Sequence, residues 1–137
     1  MTDTVKVLIA DKMDPKAAQI FRERGIEVAE KPGVAPDELK AIIGNYDGLA
    51  VRSATKVPAS AMDEALPRLK VIGRAGIGVD TIDVPAASAR GIVVMNTPFG
   101  NSITTAEHAI SLMLSLARQI PEADASTRGG KIGRAHV

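Results

Sequence analysis

Hydrophobic residues recur along the first hundred positions as five short runs, separated by segments with the spacing of amphipathic helices. The runs begin near Val5, Ile26, Gly48, Lys70 and Ile92, at intervals of 21 or 22 residues. Each run is short, continuous and rich in β-branched residues, a pattern typical of strands covered on both faces. Strands that alternate with helices predict parallel βαβ units. We therefore expect an α/β fold, a doubly wound parallel sheet of about five strands.

Helix end signals stand between the runs. Asp14 is expected to cap the first helix, with Pro15 at its first position and Gly25 in a left-handed conformation just past its end. Asp83 and Gly91 bound the fourth helix in the same way. The fourth helix is predicted over 84–90, and the second and third over 36–43 and 58–66.

A longer helix is predicted over 102–120, with Pro121 closing it and a polar segment following over 123–131. Apolar residues cover more than half of its circumference, which is typical of a helix that is buried or has partners on several sides. A membrane span is disfavoured because the helix contains Glu107 and His108 and its apolar part is shorter than ~20 residues.

Composition narrows the classes of partner. The 137 residues suit one domain of ordinary size, and 45% hydrophobic with 24% charged residues argues against disorder. The net charge of +1 gives no reason to expect nucleic acid or an anionic membrane as a partner. Cysteine is absent, which removes disulfides and thiolate metal sites and is compatible with a cytosolic setting.

The turn Gly76-Ile77-Gly78 follows the fourth run and invites comparison with the dinucleotide fingerprint G-x-G-x-x-G. Thr81 stands at the third glycine position, and the next strand ends in Met95-Asn96, with no acidic residue for a ribose. We therefore predict a turn whose backbone N–H groups grip an oxyanion, because glycines allow close approach.

Arg52 and Arg74 each close a predicted strand, and guanidinium groups suit carboxylate or phosphate. Lone arginines are more often solvated surface charges, and that alternative stays open. Asp11 ends the first strand as in phospho-acceptor domains, but the partner residues of such domains are lacking. His108 has no nucleophile or metal-ligand spacing beside it and is interpreted as a packing or surface residue.

Three long motifs identify a family. VRSATKV (51–57), VIGRAGIGVD (71–80) and GIVVMNTPFGNS with the helix after it (91–108) together resemble the D-isomer-specific 2-hydroxyacid dehydrogenases, in register over 5–131. The resemblance implies a flavodoxin-like substrate-binding domain, here incomplete over 1–100. A crossover helix and the start of a Rossmann NAD domain would follow over 101–131.

The resemblance also implies a substrate and a site. It implies NAD-dependent oxidation of 3-phosphoglycerate to 3-phosphohydroxypyruvate in serine biosynthesis, by a cytoplasmic homo-oligomer. The residue at Ile77 would neighbour the cofactor; many members carry Thr there, so a side-chain hydrogen bond is in doubt. The substrate, a small phosphorylated hydroxy acid, would be bound by Arg52, Ser53, Arg74, Gly76 and Asn101.

The family's dinucleotide fingerprint and its catalytic Arg, Glu and His correspond to positions beyond this chain. We therefore expect a truncated enzyme that has no catalytic residue, no metal site and no Rossmann domain and is inactive as it stands. The alternative is a standalone module that binds small anions or a partner without catalysis. The last six residues, 132–137, match a translated sequencing-adapter sequence, and a natural tail is the alternative.

Overall fold

The computed structural model describes residues 4–131. Five strands alternate with four helices, and two further helices follow. The elements are β1 Lys6–Ile9, α1 Pro15–Glu23, β2 Glu27–Glu30, α2 Pro36–Ile43, β3 Gly48–Val51, α3 Ala59–Ala65, β4 Val71–Arg74, α4 Val84–Ala89, β5 Val93–Asn96, α5 Ser102–Ala117 and α6 Ile120–Arg128.

The five strands form a parallel sheet in the order β2-β1-β3-β4-β5, which confirms the predicted flavodoxin-like α/β fold. The chain moves outward in one direction from β1 to β2 and in the other from β3 to β5. Because crossovers are right-handed, α1 lies on one face and α2, α3 and α4 lie on the other. The strand order reverses between β1 and β3, and in such sheets ligands bind outside the carboxyl ends of the strands at that switch point.

The hydrophobic core lies between the sheet and α2, α3 and α4. Alternate residues of each strand point to one face, so every second strand residue enters this core. It is aliphatic, as expected from a sequence with two phenylalanines, one tyrosine and no tryptophan. Its members include Leu8, Leu39, Ile43, Leu49, Val51, Met62, Ala65, Ile72 and Ala87.

The helix end signals are confirmed. The carboxylate of Asp14 accepts a hydrogen bond from the N–H of Lys16 at 2.8 Å, and that of Asp83 accepts one from Ala86 at 3.0 Å. Gly25 and Gly91 have φ values of 74° and 69°, which side chains disfavour. The third helix begins at Ala59, with Pro58 as its cap.

The expectation that all strands are covered on both faces is wrong for β5. Val93 and Met95 are 57% and 54% exposed, whereas Leu8 and Ile9 of β1 are buried. Among the helices of residues 4–100, only α1 lies on that face of the sheet, and it packs beside β2, at the opposite edge. In the apolar run at β5, the residues on one face of the strand pack against the core, and those on the other face are exposed to solvent.

The described residues divide into two compact units, 4–100 and 101–131. In the second unit, the prediction that Pro121 closes a helix is wrong. The helix α5 ends at Ala117, Gln119 adopts a left-handed φ of 49°, and α6 begins at Ile120. Proline needs no N–H partner in the first helical turn, so Pro121 starts α6. Residues 132–137, with their predicted adapter origin, lie outside the described residues.

Candidate functional site

The candidate residues of the first unit follow the carboxyl ends of β1, β3 and β4. Asp11 lies beyond β1 and Arg52 follows β3, so the two loops flank the switch point. Arg74 ends β4, paired in register with Val51 on one side and Asn96 on the other. The loops after these three parallel strands therefore share one edge of the sheet, the edge at which such sheets bind ligands.

Asp11 organises the loop after β3, and the sequence prediction missed this role. The residue is 4% exposed. One carboxylate oxygen accepts hydrogen bonds from the N–H groups of Arg52 at 2.5 Å and Thr55 at 3.2 Å. The other accepts from the Thr55 hydroxyl at 2.7 Å. A buried carboxylate needs such donors, and here one loop supplies all three.

These contacts also set the charge state of Asp11. Burial by itself raises the pKa of its carboxyl, because burial disfavours the ionised form. Hydrogen bonds from the Thr55 side chain and from the N–H groups of Arg52, Thr55 and Ala54 act in the opposite direction and outweigh burial, so the pKa is lowered. Asp11 is therefore an anion at neutral pH.

Arg52 and Ser53 are exposed at the tip of this loop. The guanidinium of Arg52 donates to the carbonyl of Lys12, beyond β1, at 3.1 Å. A single surface hydrogen bond of this kind is worth little and exchanges readily with water or a ligand. The two side chains are thus within reach of solvent, while their backbone is fixed by Asp11.

Arg74, in contrast, is 9% exposed, and its guanidinium forms hydrogen bonds and an ion pair with other groups of the protein. Its Nε donates to the carbonyl of Arg52 at 3.1 Å. Its Nη1 donates to the carbonyl of Gly78 and lies 3.2 Å from a carboxylate oxygen of Asp80. Arg74 and Arg52 therefore meet through the guanidinium of one and the main chain of the other. Direct contact between Arg74 and a substrate stays a prediction.

The Gly76–Gly78 turn after β4 is held by its carbonyl groups. The carbonyl of Gly76 accepts from the N–H of Thr97 at 3.0 Å, and that of Ile77 accepts from the Asn96 side chain at 2.7 Å. The carbonyl of Gly78 is held by Arg74. Within residues 4–131, the N–H groups of Ile77 and Gly78 donate no hydrogen bond to the protein. Two backbone donors of this turn thus remain for an anion.

The same turn does not fit a dinucleotide. A pyrophosphate binds where a glycine-rich turn opens directly into a helix N-terminus. Here α4 begins only at Val84, and the space beside the Gly78 Cα is filled, since a Cβ there would lie 2.9 Å from both Arg74 Nη1 and Asp80 Oδ1. Ile77 is 45% exposed, and its place beside a cofactor stays a prediction.

Other sequence candidates have the following surroundings. Asn101 precedes α5 in the second unit, where its carbonyl accepts the N–H of Thr105 at 2.9 Å. Its predicted contact with substrate stays a prediction. His108 is exposed on α5. Residues 4–131 contain no grouping of three or more His, Asp and Glu side chains suited to a metal ion.

A signal for the role of Asp11 was present in the sequence. An acidic residue that directly follows a buried strand is often covered by the neighbouring loop. Its carboxylate then needs hydrogen-bond donors from that loop. The segment after the third run, with Ser53 and Thr55, offers hydroxyl and N–H donors close by.

A family model covers nearly the whole chain. The model described as "D-isomer specific 2-hydroxyacid dehydrogenase, catalytic domain" matches residues 7–132. The D-3-phosphoglycerate dehydrogenase of Archaeoglobus fulgidus is 50% identical over 127 residues, which are 93% of this chain and 24% of that protein. The human enzyme of the same name is 48% identical over 126 residues, with 92% and 24% covered. The chain thus spans about a quarter of the length of these relatives.

Solved structures agree with this match. A protein from Thermus thermophilus superposes with a TM-score of 0.76 at 35% identity, covering 96% of this chain and 43% of that chain. The NAD+-bound 3-phosphoglycerate dehydrogenase of Entamoeba histolytica superposes with a TM-score of 0.70 at 27% identity, covering 98% and 43%. The similar proteins therefore include a dehydrogenase with bound NAD.

Proposed function

Because the chain belongs to the D-isomer specific 2-hydroxyacid dehydrogenases, we propose that residues 1–100 form the substrate-binding part of an NAD-dependent enzyme. Its reaction is the oxidation of 3-phosphoglycerate to 3-phosphohydroxypyruvate, in serine biosynthesis. The similarity to D-3-phosphoglycerate dehydrogenases supports this choice of substrate. Residues 101–131 are proposed to form the crossover helix and the start of the NAD-binding domain, and the enzyme to be a cytoplasmic homo-oligomer.

The observation that carries the proposal is the pair of loops at the carboxyl edge of the sheet. Arg52 and Ser53 present exposed side chains on a loop that a buried carboxylate holds in place. The Gly76–Gly78 turn, across from it, offers two N–H groups without acceptors among residues 4–131. A guanidinium, a hydroxyl and amide donors together match the oxygens of a phosphate or carboxylate. Of the five predicted contacts, Arg52 and Ser53 have the strongest support, whereas the N–H of Gly76 donates to the carbonyl of Arg74 at 2.9 Å.

The role of these residues is to bind and orient the hydroxy acid. Bound NAD supplies the acceptor for the hydride that leaves the substrate carbon. The described residues do not form a dinucleotide cradle, and Ile77, which is 45% exposed, is the residue that we propose to neighbour the cofactor. Arg52 and Ser53 would hold the phosphate or the carboxylate of the substrate. The carbon that bears the hydroxyl is then free to face the cofactor.

The proposal is tested by titrating the isotope-labelled 137-residue chain with 3-phosphoglycerate and following backbone chemical shifts. We expect shifts at Arg52, Ser53 and Gly78 with a Kd in the millimolar range, about −4 kcal/mol, because charge-assisted contacts are weakened in an open cleft. Arg52→Lys should weaken binding despite keeping the charge, since an ammonium cannot form the forked contact. Arg24→Lys, an exposed arginine at the end of α1, is the matched control.

The outcomes separate the two candidate functions. Equal shifts with sulfate would indicate a standalone module that binds small anions, and no shift at the three residues would mean that Arg52 is a surface charge. Added NAD should give no NADH above a control without protein, because a dinucleotide cradle is lacking in the described residues.

A further inference from the structure

We propose that Asp11 and Arg74 are positioning residues that hold the main chain of Arg52 from both sides. The inference rests on the proposed function, because it assigns Arg52 to the substrate. It concerns residues at the carboxyl ends of β1 and β4, the two strands that flank β3.

The N–H side of Arg52 is held by Asp11. Its carboxylate accepts the N–H of Arg52 at 2.5 Å and, three residues further along, the N–H and hydroxyl of Thr55. Thr55 is itself buried, and its hydroxyl also lies 3.4 Å from the carbonyl of Ala10. Both ends of the segment from Arg52 to Thr55 are therefore hydrogen-bonded to the buried carboxylate of Asp11.

The carbonyl side of Arg52 is held by Arg74, whose Nε donates to it at 3.1 Å. The same guanidinium holds the carbonyl of Gly78 and pairs with Asp80. Both peptide groups that flank the Arg52 Cα are thus fixed, one by an anion and one by a cation. Arg74 also links the Arg52 loop to the Gly76–Gly78 turn. The distance between this loop and this turn, which together form the proposed anion site, is therefore fixed.

This arrangement favours ligand binding, because the main chain of the Arg52 loop is already ordered before the ligand binds. A loop that is already ordered loses less conformational entropy when its side chain engages a ligand. The exposed Arg52 side chain keeps its own rotamer freedom, while its point of attachment is fixed. Asp11 and Arg74 would thus act on affinity through the main chain of Arg52.

The chain contains a matched control at the opposite edge of the sheet. Asp47 precedes β3 and accepts the N–H of Lys6 at 2.8 Å and the guanidinium of Arg68 at 3.3 Å. It thus joins the amino ends of β1 and β3 as Asp11 joins their carboxyl ends. Loss of the Asp47 carboxylate should destabilise the fold in a similar way, far from the candidate site.

Hydrogen exchange and binding on the 137-residue chain test the proposal together. In Asp11→Asn, the amides of Arg52 and Thr55 should exchange about tenfold faster, relative to the core strands, than in the parent chain. In Asp47→Asn they should keep their protection. 3-Phosphoglycerate should bind Asp11→Asn about tenfold more weakly and Asp47→Asn as tightly as the parent chain.

A second pair of variants serves if Asp11→Asn does not fold. Thr55→Val removes the hydroxyl that Asp11 binds, and Thr55→Ser restores it. Faster exchange at Arg52 with Val and its recovery with Ser would support the proposal. Unchanged exchange at Arg52 in every variant, or equal weakening of binding by Asp47→Asn, would overturn it. Failure of the parent chain itself to bind 3-phosphoglycerate would instead overturn the proposed function.

Discussion

Arg52 and Arg74 both stand at the ends of strands predicted from the sequence, but their surroundings in the structure differ. Arg52 is exposed, whereas Arg74 is 9% exposed and bound to main-chain carbonyls and Asp80. The sequence places both at the carboxyl edge of the sheet but predicts the same task for each. The difference follows from register, since Arg74 still pairs with Val51 inside the sheet while Arg52 lies one residue past it. Register is a tertiary property, and the pattern of single residues does not contain it.

The contact between Arg74 and the glycine turn gives a prediction for a single methyl group. A Cβ at Gly78 would lie 2.9 Å from Arg74 Nη1 and Asp80 Oδ1, closer than real Cβ contacts. Gly78→Ala should therefore displace the guanidinium and lower the free energy of unfolding by about 1–3 kcal/mol. Urea denaturation followed by circular dichroism measures this change.

Gly73→Ala is the matched control, because a Cβ at Gly73 has no atom within 4 Å. It should be neutral or stabilise slightly, since alanine reduces the freedom of the unfolded chain. Equal stability of Gly78→Ala and the parent chain would show that Arg74 moves aside without cost, and that its contacts to the turn are weak.

Whole elements were more predictable than their ends. Apolar runs spaced by 21 or 22 residues predict all five strands, because a parallel strand must be apolar and a crossover helix needs a nearly constant length. Proline is ambiguous in such an argument. Pro121 can end one helix or begin another, and the left-handed Gln119 decides for the second. Only a backbone angle settles that choice.

Apolar exposure on α5 gives a prediction at the scale of one helix. Ile103, Met113 and Leu116 are 75%, 63% and 82% exposed, and no helix among residues 4–131 is long and apolar enough to cross a membrane. Burial contributes about 25 cal/mol per Å², so a face of a few hundred Å² favours association by on the order of several kcal/mol. We expect the chain to self-associate at tens of micromolar concentrations, as measured by light scattering.

Replacing Leu112 and Leu116 with glutamate should remove most of this association. The control carries the same two added charges at polar, exposed positions of α5, Thr104→Glu with Ser111→Glu. Equal scattering from the two variants would mean that net charge, rather than the apolar surface, governs the solubility of the chain.

For the whole molecule, the type of sheet could be predicted from the sequence, but the contacts at the site could not. Alternating strands and helices with right-handed crossovers leave few sheet orders open. The flavodoxin-like fold that the resemblance implies is one of them. The sequence also placed Arg52, Arg74 and the glycine turn at one edge. That Asp11, 41 residues before Arg52, would hold its N–H depends on the twist and spacing of two strands. Such long-range pairs form only once the sheet is assembled.

The location of the core gives the last prediction. All members of the buried cluster lie between Leu8 and Ile92, within the first compact unit. Residues 1–100 alone should therefore fold cooperatively, with a Tm within about 5 °C of the parent chain. Circular dichroism and calorimetry check this directly. Shortening further to residues 1–91 removes β5 and Ile92, which is 3% exposed, and should abolish the transition or lower its midpoint by well over about 5 °C. A non-cooperative 1–100 chain would instead mean that residues after Gly100 contribute to the stability of the sheet.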